Sequence, residues 1–131
     1  MGTIVITGSA GGIGSATRAR LEASGHTVVG VDVRDAEVLA DLSALEGRQT
    51  MVAGVERIAG GVLDGLVAAA GIAAHDDEGV VVAINYFGAV ATLAGLRPLL
   101  ARGNAPSAVA LSSNSTSTQP GVPLELTEAC L

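Results

Sequence analysis

Lysine is absent from all 131 residues, and the seven basic side chains are all arginines. Any chemistry that needs a lysine amine therefore falls outside this chain's own residues. Tryptophan is also missing, with one tyrosine and one phenylalanine, while 49% of residues are hydrophobic. The core must then be built from Ala, Val, Leu and Ile, and short branched aliphatic runs suit strands buried on both faces, as in parallel sheets. A single cysteine, Cys130, excludes an intrachain disulfide and fits a reducing cytoplasm. A formal charge of −6 argues against a nucleic-acid partner. The apolar N-terminus has no basic leader and meets glycine at Gly8, so it reads as neither signal peptide nor membrane span. The acidic run His75-Asp76-Asp77-Glu78 has no second histidine nearby, and adjacent acids do not converge on one ion; it reads as a solvated loop, with no metal site. The length allows one domain with a real core, spanning 1–131.

What is present is a glycine turn in a telling place. The apolar run Thr3 to Thr7 leads into Gly8-Ser9-Ala10-Gly11-Gly12-Ile13-Gly14, and a helix-like stretch to Ser24 follows. Strand, glycine turn and helix in that order can hold a nucleotide pyrophosphate. Glycines let the backbone approach the phosphates, and unpaired amides at the helix start favour negative charge. The spacing differs from G-x-G-x-x-G: it reads G-x-x-x-G-x-G through Gly8, Gly12 and Gly14, or G-x-x-G-x-x-G through Gly8, Gly11 and Gly14. The second apolar run ends at Asp32, close to the roughly 20-residue gap expected for a ribose-binding acid. Strand, turn, helix, strand and acid in register point to dinucleotide binding.

Strand and helix signals then alternate. A helix is predicted from Ile13 to Ser24 with Gly25 just past its end, and a second strand over Thr27 to Asp32. A short third strand is predicted over Glu37 to Ala40, although Val33 to Ala36 is too short for the crossover helix that parallel strands usually need. Helices are expected over Gly47 to Ala59 and Val80 to Leu100, the latter bent or ended by Pro98. Strands are expected over Leu63 to Ala70 and Ser107 to Ser112, and a Ser/Thr/Pro-rich loop from Asn114 to Pro123. The alternation implies an α/β fold, a Rossmann-type doubly wound parallel sheet of order 3-2-1-4-5 that stops after the fifth strand.

At this point the chain resembles the short-chain dehydrogenase/reductase family. Thr7 to Gly14 match its T-G-x-x-x-G-I-G turn, and Ala68-Ala69-Ala70-Gly71 stands where the family usually has N-N-A-G. Asn85 in Ile84-Asn85-Tyr86-Phe87-Gly88 matches the asparagine of the family's catalytic tetrad, and Ser112-Ser113 matches the catalytic serine region. The stretches Gly25 to Val38, Ala40 to Ser43 and Asn85 to Ala89 look like the 3-alpha-hydroxysteroid dehydrogenase/carbonyl reductase branch, which also shortens the connection between strands two and three. The resemblance implies that Gly8, Ser9, Ala10, Gly11, Gly12, Ile13 and Gly14 wrap a pyrophosphate. It implies that Asp32 accepts hydrogen bonds from the adenosine ribose and repels a 2′-phosphate, favouring NAD over NADP, with Arg34 nearby as a counterweight. Asp41 and Leu42 would flank the adenine, and Ala70 and Gly71 would let the ribose pass close to the backbone. Asn85 would support a proton-relay water; Ser113, or its neighbour Ser112, would hydrogen-bond the oxygen of a small-molecule alcohol or carbonyl substrate. Family members are commonly cytoplasmic dimers or tetramers.

The family's chemistry also needs a Tyr-x-x-x-Lys pair beyond the serine, because a phenol near pKa 10 is a poor base at neutral pH without a lysine's help. This chain has no lysine, and its one tyrosine, Tyr86, sits on the middle helix and reads as a packing residue. The expectation is therefore the N-terminal, cofactor-binding part of an NAD-dependent oxidoreductase, inactive by itself. Two other readings remain: a non-catalytic dinucleotide-binding redox sensor, and a nucleotide-sugar epimerase or dehydratase, whose H-x-A-A segment fits Ala69-Ala70-Gly71 less well.

Overall fold

Five parallel strands lie side by side in the order β3-β2-β1-β4-β5: β1 is Thr3–Thr7, β2 Thr27–Asp32, β3 Val38–Leu39, β4 Gly65–Ala68 and β5 Ser107–Ala110. The coordinates are a computed structural model that describes residues 1–114 and Glu125; the Ser/Thr/Pro-rich stretch beyond Asn114, and Cys130, lie outside the described residues. The expected sheet order is therefore observed. Every strand is shorter than or equal to its sequence reading. Leu63, expected inside β4, is instead fully buried in the loop before it.

Helix α1 (Gly12–Ala23) covers one face of the sheet; α2 (Leu45–Ala59) and the helix Glu78–Leu100 cover the other. Neighbouring residues in a parallel pair share a face, so the register sorts the apolar side chains. Val5, Val29 and Leu66 are side by side and meet Met51, Val55, Leu96 and Leu99 in the main core. On the opposite face, Ile6 lies beside Gly30 and Val67. All four residues of β5, at one edge of the sheet, are exposed, with Val109 56% accessible.

The helix Glu78–Leu100 is composite: α3 (Glu78–Val82), a π-helical segment (Ala83–Gly88) and α4 (Ala89–Leu100). Asp77 caps it, its Oδ1 accepting from the Gly79 amide at 2.8 Å. Pro98 does not end it. The proline sits in the last turn, where it removes one main-chain bond while Leu96 and Leu99 remain anchored in the core. By length and composition this helix could cross a membrane, with mean hydropathy 1.8. Here it packs one edge on α2 and the sheet and leaves Val82, Tyr86 and Val90 exposed.

The connection from β2 to β3 contains no helix, yet the pair is parallel. This works because β3 begins at the level of Val31, one residue back from the end of β2. Val31 pairs with Val38 and Asp32 with Leu39. Below those rungs the Gly30 amide donates to the Glu37 carboxylate at 2.7 Å. Glu37 also takes both guanidinium amines of Arg18 on α1, at 2.7 and 2.9 Å. The guanidinium first, and the Gly30 amide after it, hold the Glu37 carboxyl down at about 2.

Candidate functional site

The turn after β1 is built around contacts that exclude side chains. Gly8 has φ +73°, and a Cβ there would sit 2.8 Å from Cα of Ala70. A Cβ on Gly14 would collide with the Gly8 carbonyl, and one on Gly11 would lie 3.3 Å from it. Gly12 differs: a Cβ there meets nothing within 4 Å. Packing therefore demands glycine at 8, 11 and 14, while Gly12 keeps space open in the wall of a crevice. No side chain caps α1 and its first turn holds no acid, so the amides of Gly12, Ile13 and Gly14 have no intrahelical acceptor.

That crevice has a volume of about 570 Å³ and opens at the carboxyl ends of the strands. Gly8, Gly11, Gly12, Ile13 and Gly14 form one side. Asp32 stands at its edge, with Oδ2 accepting from the Ala10 amide at 3.0 Å and Oδ1 from the Val33 amide at 2.7 Å. A carboxylate has about four lone-pair sites, so two hydrogen bonds fix its orientation and leave acceptors facing outward. Asp41 and Leu42 line the next stretch. The hydroxyl and amide of Ser43 hold the Asp41 carboxyl below its ordinary range, and Leu42 is buried beneath Gly88. Ala70 and Gly71 close the far wall. They are placed by Thr7, whose buried Oγ1 accepts from the Ala69 and Ala70 amides at 3.2 and 3.3 Å. The crevice fits a dinucleotide: Gly12 leaves room, free amides face it, and a fixed carboxylate stands at one end.

Ser9 and Ala10, expected in this wall, stand behind it. Ser9 is buried, with Oγ turned toward Gly30 and without a hydrogen-bond partner among the described residues, and Ala10 contributes its amide to Asp32. The reason is the turn itself, which curls Ser9 under the helix while Gly11 and Gly12 face out.

Asn85 lies in the π-helical segment, outside the crevice lining. Its Nδ2 donates to the Ile72 carbonyl and its Oδ1 accepts from the Ile72 amide, both at 2.9 Å. The side chain thus clamps the middle helix to the loop after β4, and one lone pair and one N–H remain for a further partner. Ser112 and Ser113 are exposed just beyond β5, also at the carboxyl end of the sheet and outside the lining. Tyr86, read as a packing residue, is instead 62% exposed, and its ring meets that of Phe87 edge to face at 5.2 Å. The sequence reading did not single out Ile72 and Ile84, which add an apolar wall. Their position beside Gly71 and Asn85 is the one signal that could have found them. Among the described residues no group of His, Cys, Asp or Glu could hold a metal ion.

A twisted parallel sheet with a glycine turn and a carboxylate flanking the crevice at its switch point defines a Rossmann-type α/β protein. Residues 2–123 match the family described as short chain dehydrogenase, and the chain belongs to that family. It is 49% identical over 114 residues to the 3-alpha-hydroxysteroid dehydrogenase/carbonyl reductase of Comamonas testosteroni, covering 86% of this chain and 44% of that protein. It is 37% identical over 91 residues to a coniferyl-alcohol dehydrogenase of Pseudomonas sp. (strain HR199 / DSM 7063), covering 65% of this chain and 34% of that one. The crystal structure of 3-alpha-hydroxysteroid dehydrogenase from Pseudomonas sp. B-0831 complexed with NADH superposes with a TM-score of 0.83 at 51% identity, covering 91% of this chain and 50% of that one. The ligand-free aldohexose dehydrogenase of Thermoplasma acidophilum, 20% identical with a TM-score of 0.79 over 97% of this chain and 55% of that one, shares the fold. The chain thus spans half or less of the length of its more similar relatives.

Proposed function

We propose that this chain is the cofactor-binding part of an NAD-dependent short-chain oxidoreductase that interconverts a secondary alcohol and a ketone, hydroxysteroids included. The observation that carries the reading is the crevice: glycine turn on one side, Asp32 fixed at its edge, Ala70 and Gly71 opposite. The solved relative in complex with NADH supports it. In this reading the amides of Gly12, Ile13 and Gly14 bind the pyrophosphate. Asp32 accepts from the ribose hydroxyls and repels a 2′-phosphate. Asp41 and Leu42 flank the adenine. The nicotinamide, when bound, supplies or accepts the hydride. Asn85 fixes the Gly71–Ile72 loop and offers its spare polar atoms to a proton-relay water, and Ser113 hydrogen-bonds the substrate oxygen. The acid/base pair is not among this chain's residues: lysine is absent, and Tyr86 points away from the crevice. The same reading makes the protein a cytoplasmic dimer or tetramer without nucleic-acid or membrane partners. Its charge of −6 agrees with the absence of a nucleic-acid partner, and the exposed apolar helix face at Val82, Tyr86 and Val90 with association between copies.

Calorimetric titration of NAD against NADP tests the reading. NAD is expected to bind at least about tenfold more tightly, and Asp32→Ala to weaken NAD by roughly 10- to 100-fold, the value of charge-assisted hydrogen bonds worth about 1.5–3 kcal/mol. Tighter binding of NADP by the unmodified chain would refute the specificity.

A further inference from the structure

The Arg18–Glu37 pair lies outside every role assigned so far. Arg18 belongs to α1, the helix that starts at the glycine turn, and Glu37 ends the short connection after Asp32. The guanidinium crosses over β2 at Gly30, where a Cβ would lie 2.9 Å from Nη1 and 2.5 Å from Oγ of Ser9. Only a glycine strand position lets the arginine lie so close. Beyond Gly30 the arginine meets Glu37 through both amines, and Nε of Arg18 pairs with Glu22 at 2.9 Å, so the guanidinium is held from two sides. The carboxylate simultaneously takes the Gly30 amide that β3 is too short to pair. Between Asp32 and Glu37 the connection carries Arg34 in the crevice lining and Asp35 at φ +48°, a conformation that a non-glycine residue keeps only when its surroundings enforce it.

We infer that Arg18 and Glu37 form a positioning clamp for the adenosine half of the crevice. The clamp ties the phosphate-facing helix to the turn after β2, and so holds Asp32 and Arg34 in register with the glycine turn. It rests on the dinucleotide reading above. Two hydrogen bonds fix the Asp32 carboxylate, from Ala10 and from Val33. The first partner belongs to the glycine turn that leads into α1, and the second is the first residue of the β2–β3 turn. The bidentate pair between Arg18 and Glu37 keeps those two partners at a constant separation. Without it, Asp32 loses its fixed aim while the strands stay paired.

The test uses ADP and 2′-deoxy-ADP as probes on the full chain, by calorimetry, with thermal melting alongside. The unmodified chain is expected to prefer ADP through Asp32. Glu37→Gln and Arg18→Met are expected to lower ADP affinity about tenfold and 2′-deoxy-ADP affinity less than about twofold, collapsing the preference. Arg18→Lys, which keeps the charge but not the two-pronged geometry, is expected to restore only part of it. A loss of stability alone would weaken both probes together and leave their ratio intact, and that result overturns the clamp, as does an unchanged ratio in Glu37→Gln. Failure of the unmodified chain to bind either probe would instead overturn the dinucleotide reading itself. Should Arg18→Met fail to fold, Glu37→Gln still decides, since its amide oxygen can keep the Gly30 bond.

Discussion

Gly12 and Gly14 are two residues apart and face opposite demands. At Gly14 an added methyl group would strike the Gly8 carbonyl; at Gly12 it would enter the crevice. Gly14→Ala is therefore expected to destabilise the fold by about 1–3 kcal/mol, as overpacking does, with a lower urea midpoint. Gly12→Ala is expected to leave that midpoint nearly unchanged and to weaken NAD binding, which calorimetry would read. Equal midpoints for both variants would contradict this division. That residues 8–14 form a tight turn was legible, since glycine spacing reports where the backbone must turn. Which of them face outward was not legible: Ser9 and Gly12 share the motif, yet one is buried under α1 and the other lines the crevice. That outcome depends on the direction in which the turn curls against β2 and β4.

At the scale of elements, the parallel β2–β3 pair depends on one side chain standing in for a ladder rung. The Glu37 carboxyl is held at about 2 against an ordinary 4.5. A depressed carboxyl pKa contributes stability that is complete above the unfolded value and lost as pH falls toward the folded one. The stability gap between the unmodified chain and Glu37→Gln is thus expected to hold at pH 6 and to shrink between about pH 5 and 3. Urea midpoints across that range would show it, and a gap independent of pH would count against the ion pair. The helices and strands themselves were readable from periodicity to within a few residues. Two features were not. The π-helical turn around Asn85 carries the side chain that clamps to Ile72, a contact across 13 positions. Whether Pro98 bends the helix or ends it was open from the sequence; Leu96 and Leu99 anchor the last turn against the sheet, and the helix runs on to Leu100.

For the whole molecule, the sheet order places the crevice at the switch point, where the proposed cofactor would sit, and the proposed proton transfer would need a lysine that this chain lacks. Purified alone, it is expected to show no NADH oxidation with ketone substrates in a steady-state assay; measurable turnover would overturn the proposed division of labour. Alternating apolar runs and the glycine turn determined the fold class, and with the position of Asp32 they point to the proposed kind of ligand, because strand periodicity, turn sterics and charge are properties of local sequence. Only the tertiary structure decided that the Ala10 amide in the glycine turn holds Asp32, that Thr7 seats Ala69 and Ala70, and that Arg18 reaches Glu37 across Gly30. Each of these joins elements distant in the chain, and their distances are set by how the layers pack.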